Sequence, residues 1–191
     1  MTNPEIHTDV LAALLRNGDT EAFRTLFDRF RTPVYAYCAR MLGDRDEAED
    51  ATQETFILAL RDASALSAPE RFRGWLFGIA RHRVMMMIRD RRNGKREELD
   101  EAGRDDETPH VAAERNEIRV HVRNAVAALP PGYREVVILR DFQHLSYAEI
   151  AIATGSTESA VRSRLHKARK ALVTKLAPIF AEEDADALRR V

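Results

Sequence analysis

Apolar residues recur at three- and four-residue spacings through most of this chain, the period that gathers them on one face of an α-helix. A first helix is expected from about Asp9 to Asn17, stopped at Gly18. Asp19 or Thr20 caps a second, in which Phe23, Leu26, Phe27 and Phe30 repeat at three, one and three. Thr32-Pro33 reads as a fresh start, because proline fits the first turn of a helix and disfavours its interior; Val34, Tyr37, Cys38 and Met41 then point inward until Gly43. The next helix, from about Asp46 to Asp62, has Ala48, Ala51, Thr55, Leu58 and Ala59 inward, with Glu47, Asp50, Gln53, Glu54 and Ile57 along its other side. Beyond a loop from Ser64 to Pro69, the residues Trp75, Leu76, Ile79, Val84, Met87 and Ile88 repeat the helical pattern. After Thr108-Pro109, Ile118, Val122, Ala125, Val126 and Leu129 mark the first helix of a second bundle. Pro130-Pro131 breaks it and opens another, with Val136, Val137, Leu139 and Phe142.

The segment from Leu145 to Leu172 carries the punctuation of a helix-turn-helix. Ser146 can cap its first helix, with Glu149 three residues on completing a capping box. Ile150, Ala151 and Thr154 share one face, Ala151 being small enough for a helix crossing. Gly155 ends the helix in the left-handed conformation that glycine adopts without a Cβ clash. Ser156 or Thr157 caps the second helix, where Val161, Leu165, Ala168 and Leu172 form a buried stripe.

Charge divides the chain more sharply than the pattern does. From Asp44 to Glu54 six acidic residues oppose Arg45, a net of minus five; from Glu70 to Arg96 nine basic residues oppose Glu70 and Asp90, a net of plus seven. From Glu97 to Glu117 the net is minus seven, and from Glu158 to Lys175 it is plus five. The first acidic cluster supports the helix dipole and also suits a protein-docking face. Phe72, Trp75 and Phe77 among arginines suit single-stranded DNA, where bases stack on rings and charge holds the backbone; each ring taken singly also fits a core. The basic second helix of the helix-turn-helix suits a major groove, with Ser159, Arg162, Ser163 and His166 as base readers and Arg140, Lys167 and Arg169 on phosphate. A solvated face on an ordinary helical hairpin is the plainer reading of a basic helix alone.

The expected fold is therefore all-α: two small helical bundles, residues 5–93 and 109–178, joined by a flexible acidic linker at 94–108 and followed by a short tail at 179–191. The overall net charge of minus one is uninformative beside this distribution. Cys38 is the only cysteine, so no intramolecular disulfide or cysteine-based zinc site can form, and it reads as a small core residue. The N-terminus lacks a basic segment followed by an apolar run, and no stretch approaches the ~20 apolar residues of a membrane span, so a cytoplasmic protein is expected.

DEAEDATQETF, GWLFGIARHRV and LPPGYREVVILRDFQHLSYAEIAIATGSTESAVRSRLHKARKAL, in this order, resemble the polymerase-docking helix, the promoter-opening segment and the fourth conserved region of a bacterial sigma factor of the extracytoplasmic-function group. The resemblance implies an initiation subunit that makes RNA polymerase core promoter-specific, with no catalytic centre, cofactor or metal of its own. It implies docking on the clamp helices of the largest subunit through Asp46, Asp50, Gln53 and Glu54, with Glu47 on the same acidic surface, and contact with the flap of the second-largest subunit. Arg71, Phe72 and Arg73, Trp75, and the helix through Arg81, His82 and Arg83 match the segment that melts and reads the minus-ten element. Arg140, Arg162, Ser163, His166 and Lys167 match positions facing the minus-thirty-five element. An anti-sigma protein is an implied partner. His144 stands where the family usually has glycine, and Ser156 where it usually buries an aliphatic residue.

Two rival readings have different signatures. A stand-alone helix-turn-helix regulator explains the C-terminal half and leaves the acidic helix unassigned. A metal-dependent nuclease would use Glu47, Asp50 and Glu54, but no histidine lies near them to help complete a metal centre.

Overall fold

The computed structural model describes residues 6–94 and 113–189. The acidic linker read from the sequence lies outside the described residues, apart from Gly94, and the side chain of Ile118 also falls outside them. Among the described residues all regular structure is helical. Helix α1 spans Thr8–Arg16, α2 Thr20–Leu42, α3 Arg45–Arg61 and α4 Phe72–Gly94; α5 spans Ala113–Ala127, α6 Pro131–Val137, α7 Tyr147–Thr154 and α8 Glu158–Arg189.

The helix ends follow local chemistry. Asp19 accepts hydrogen bonds from the backbone N–H groups of Glu21 and Ala22 at 2.9 and 3.0 Å, and Asp44 does the same for Glu47 at 2.9 Å. Such caps contribute about 1 kcal/mol each. Gly43 closes α2 at φ 73°, where a Cβ would be strained. Pro33 does not start a helix: α2 runs through it without interruption. The proline forfeits one backbone bond, but Leu26, Phe30, Val34, Tyr37, Cys38 and Met41 are buried along one continuous face, and burial on both sides of the proline outweighs that loss. In α3 the buried set is Ala48, Ala51, Thr55, Phe56 and Ala59, so Phe56 takes the place expected of Leu58; its ring packs edge-on to Phe27 at 4.8 Å.

Between Val137 and Gln143 the helix widens into a π-type turn over Ile138–Phe142, with the N–H of Gln143 donating to Ile138 at 2.9 Å. The extra residue in that turn rotates Phe142 off the apolar stripe. Phe142 is 37 % exposed, covered on one side by the Arg40 guanidinium at 4.8 Å. Helix α8 passes through Pro178 and continues to Arg189, so the short tail expected after residue 178 continues the helix.

The two groups of helices, α1–α4 and α5–α8, pack against one another. Their buried side chains form one continuous apolar core. The N-terminal part of α4 lies across α7. A Cβ built on Gly74 would stand 2.9 Å from the Glu149 carbonyl oxygen, and one on Gly78 would stand 3.6 Å from Ala153 Cα. These two glycines, one helical turn apart, let the two backbones approach.

Candidate nucleic-acid interface

The helix-turn-helix is built as its local chemistry requires. The Ser146 hydroxyl accepts from the Glu149 N–H at 3.2 Å, and the Glu149 carboxylate accepts from the Ser146 N–H at 2.6 Å, satisfying two N-terminal donors of α7 reciprocally. Gly155 turns the chain at φ 60°. Of the two candidate caps of α8, Thr157 holds the position, accepting from the Ala160 N–H at 3.2 Å, while the Ser156 hydroxyl shares a 2.7 Å hydrogen bond with Thr154. Val161, Leu165 and Ala168 are buried. Ser159, Arg162, Ser163, His166, Lys167 and Arg169 are thereby left exposed.

The arginines of that exposed set, and Arg140 before it, are held differently. Arg162 bonds Glu158 one turn earlier at 3.0 Å and lies over the Tyr147 ring at 5.2 Å. Arg169 bonds Asp141 at 2.6 Å, and that partner raises its pKa further. Arg140 is part-buried: it donates to the Leu145 carbonyl at 2.7 Å and stacks on Tyr147 at 4.9 Å. Its guanidinium braces the turn that leads into α7.

The acidic face of α3 divides into two parts. Asp46, Asp50 and Gln53 are exposed. Glu47 pairs with Arg91, which also donates to the Leu42 carbonyl at 3.0 Å, so this carboxylate ties α3 to the far part of α4. Glu54 lies 2.6 Å from Arg83 of α4. Four carboxylates read as one surface thus serve two purposes. The metal reading of Glu47, Asp50 and Glu54 fails on the same geometry, since two of the three are committed to arginines.

Of the residues matched to the minus-ten segment, Arg71 and His82 are exposed. Phe72 is 2 % exposed and packs against Phe30 and Trp75 with ring centroids 5.6 and 5.8 Å away, so it belongs to the core and offers no face to a base. Trp75 is half-buried beside it. Arg73 donates to the backbone carbonyls of Gln143 and His144 and lies 3.8 Å from Glu149. Arg81 lies 2.7 Å from Glu135, a charge contact in which the N–H is not aimed at the oxygen.

Glu135 is the residue that sequence reading missed. It is 1 % exposed and accepts a 3.4 Å hydrogen bond from the Tyr37 hydroxyl. Burial raises its pKa, and the nearby Arg81 offsets part of that rise. The Tyr37 hydroxyl is pushed well up, first by burial and then by the Glu135 charge. Next to it, Arg134 donates to the carbonyls of Met41 and Leu129 at 3.0 and 3.2 Å, and burial lowers its pKa. The available signal was spacing: Glu135 stands three and four residues before the buried Ile138 and Leu139, on the apolar stripe.

Comparison with known proteins decides the family. The model of sigma-70 region 2 matches residues 26–94, and that of sigma-70 region 4 matches residues 119–172. The RNA polymerase sigma-H factor of Pseudomonas aeruginosa is 31 % identical over 183 residues, covering 90 % of this chain and 95 % of that protein. The chain belongs to the sigma-70 family, within its extracytoplasmic-function (ECF) group. The ECF sigma factor SigW of Bacillus subtilis is 29 % identical over 173 residues, 85 % of this chain and 92 % of the relative. Among solved structures, that of CnrH in complex with the cytosolic domain of CnrY aligns with a TM-score of 0.67 at 28 % identity, covering 90 % of this chain and 97 % of that one. The sigma factor RpoE of Bartonella quintana, solved with the anti-sigma factor NepR, has the same fold, with a TM-score of 0.68 at 22 % identity over 81 % of this chain and 96 % of that one.

This sigma factor is accordingly a promoter-specific transcription initiation factor, and sigma factors as a family are not enzymes. The stand-alone regulator reading falls with the match to region 2, which that reading left unassigned. Among the described residues, no helix is long and apolar enough to cross a membrane.

Proposed function

We propose that this sigma factor docks on RNA polymerase core through the exposed outer edge of α3, reads the minus-thirty-five element with α8, and engages the minus-ten strand with α4. The observation that carries the docking assignment is the division of the acidic surface. Among the described residues Asp46, Asp50 and Gln53 are exposed and form no ion pair, whereas Glu47 and Glu54 pair with Arg91 and Arg83 of α4. Ile57 and Leu60, one and two turns farther along α3 and exposed, extend that edge with apolar surface of the kind a protein partner covers. On α8, Arg162 and His166 are placed for base edges, and Lys167 and Arg169 for phosphate. On α4 and the turn before it, Arg71, Trp75 and His82 are the groups best placed for a separated strand, joined by Arg73, Arg81 and Arg83 once their present partners release them. The partners are the clamp helices of the largest subunit, the flap of the second-largest subunit, promoter DNA and a protein inhibitor. The last is supported by likeness to the sigma factor RpoE of Bartonella quintana, solved in complex with the anti-sigma factor NepR. The site of action is the cytoplasm.

Asp46→Lys with Asp50→Lys tests the docking face without touching the Glu47 and Glu54 pairs. Core affinity is expected to fall on the order of 10-fold or more, because reversed charges oppose a complementary surface, with helical content unchanged. Unaltered affinity for core would remove α3 from the interface. Promoter-specific transcripts made by wild-type protein with purified core, and absent without it, test the function as a whole.

A further inference from the structure

Tyr147, the first residue of α7, links three elements through its ring. The ring is half-buried and has two guanidiniums over it: that of Arg140, from the π-type turn, 4.9 Å from the centroid, and that of Arg162, from α8, at 5.2 Å. Two cations that share one ring repel each other, so each needs a further anchor. The anchor of Arg140 lies inside the protein: the side chain is part-buried and donates to the Leu145 carbonyl at 2.7 Å. The anchor of Arg162 lies at the surface: its side chain is 59 % exposed and bonds Glu158, itself 47 % exposed, at 3.0 Å. One arginine is thus part of the scaffold, and the other is held out toward solvent on top of it.

An exposed ion pair between neighbours on one helix constrains little by itself, since water screens it and two long side chains swing about it. A guanidinium over an aromatic ring is restricted in a second direction, while its N–H edge stays available for hydrogen bonds. Bidentate bonding to a guanine edge needs both donors in one orientation. Fixing that orientation before DNA arrives spares the rotamer freedom that a mobile arginine would lose on binding. We propose that Tyr147 is a positioning residue for promoter selectivity: Arg140 steadies its ring, and the ring together with Glu158 aims Arg162 at its base edge. The inference rests on the assignment of Arg162 to a base edge in the minus-thirty-five element. It adds that a residue outside the recognition helix, without touching a base, sets how sharply that base is read.

The test uses holoenzyme reconstituted from core polymerase and the full chain, on promoters that differ by single bases across the minus-thirty-five element. Tyr147→Leu should lower the preference for the base read by Arg162 about 2- to 5-fold, the size of one exposed cation–π contact, and leave the preferences at other positions as in wild type. Tyr147→Phe keeps the ring and should keep the preference. In the Arg162→Ala background, Tyr147→Leu should cost no further selectivity, as expected of two residues that act through one contact. Because Tyr147→Leu also alters packing at the start of α7, a measurement on wild type stands beside it. The side-chain protons of Arg162 in the free full chain should show the upfield NMR shift that an adjacent ring face causes. Uniform weakening of all promoters by Tyr147→Leu, loss of preference in Tyr147→Phe, additive losses in the double variant, or unshifted Arg162 protons would each overturn the positioning role. Flattened preference in Arg162→Ala with none in Tyr147→Leu would remove the positioning role alone. An Arg162→Ala variant with wild-type preferences would remove Arg162 as the reader and the positioning role with it.

Discussion

His144 is the one non-glycine residue with positive φ among the described residues, at 56°, and it stands where the π-type turn hands over to α7. An L-residue with a Cβ costs roughly 1–2 kcal/mol in the left-handed region. Histidine is among the residues that tolerate it better, which places the cost toward the lower end. Replacing it with glycine removes that strain but adds about 0.4–1 kcal/mol of unfolded-chain entropy. The imidazole is exposed, so little packing is lost. His144→Gly should therefore stabilise the protein by up to about 0.6 kcal/mol, a rise of at most about 2 °C in Tm for a chain of this size. Urea denaturation and thermal melting followed by circular dichroism measure it. His144→Ala is the control, because it removes the ring and keeps the Cβ. If alanine stabilises as much as glycine, or if glycine destabilises, backbone strain at this turn is not what limits stability.

The recognition helix and the core cysteine give two further predictions. Arg162, held by Glu158 and Tyr147 near the start of α8, can meet a guanine edge in a bidentate way worth roughly 1–3 kcal/mol; Arg162→Ala should therefore flatten base preference across a panel of single-base promoter variants. Lys167→Ala should instead weaken every promoter similarly and lower the slope of log affinity against log salt by roughly one unit, and equal loss of selectivity in both variants would refute the distinction. Burial pushes the Cys38 thiol up to about 11, so at pH 8 only on the order of one thiol in a thousand is ionised. A thiol-reactive dye should label native protein very slowly and urea-unfolded protein within minutes, and rapid native labelling would show that the core around α2 opens.

What could be read from the sequence was what is decided within a turn or two of backbone. The Ser146 and Glu149 capping box, the Asp19 cap, the glycine stops at Gly43 and Gly155 and the break at Pro130-Pro131 all depend on neighbours close in the chain, and all stand as expected. Pro33 failed as a boundary because its cost is local while the gain that overrides it comes from packing against α3 and α4. Phe142 failed because a π-type turn changes the phase of the helical repeat, and residue identities do not announce that change. The acidic surface of α3 was visible as a charge run, but its division was not. Only the approach of Arg83 and Arg91 from α4 separates the carboxylates that hold the fold from those left free. His144 was visible as an unusual residue at a glycine-like position, and its left-handed backbone gives that oddity a physical meaning.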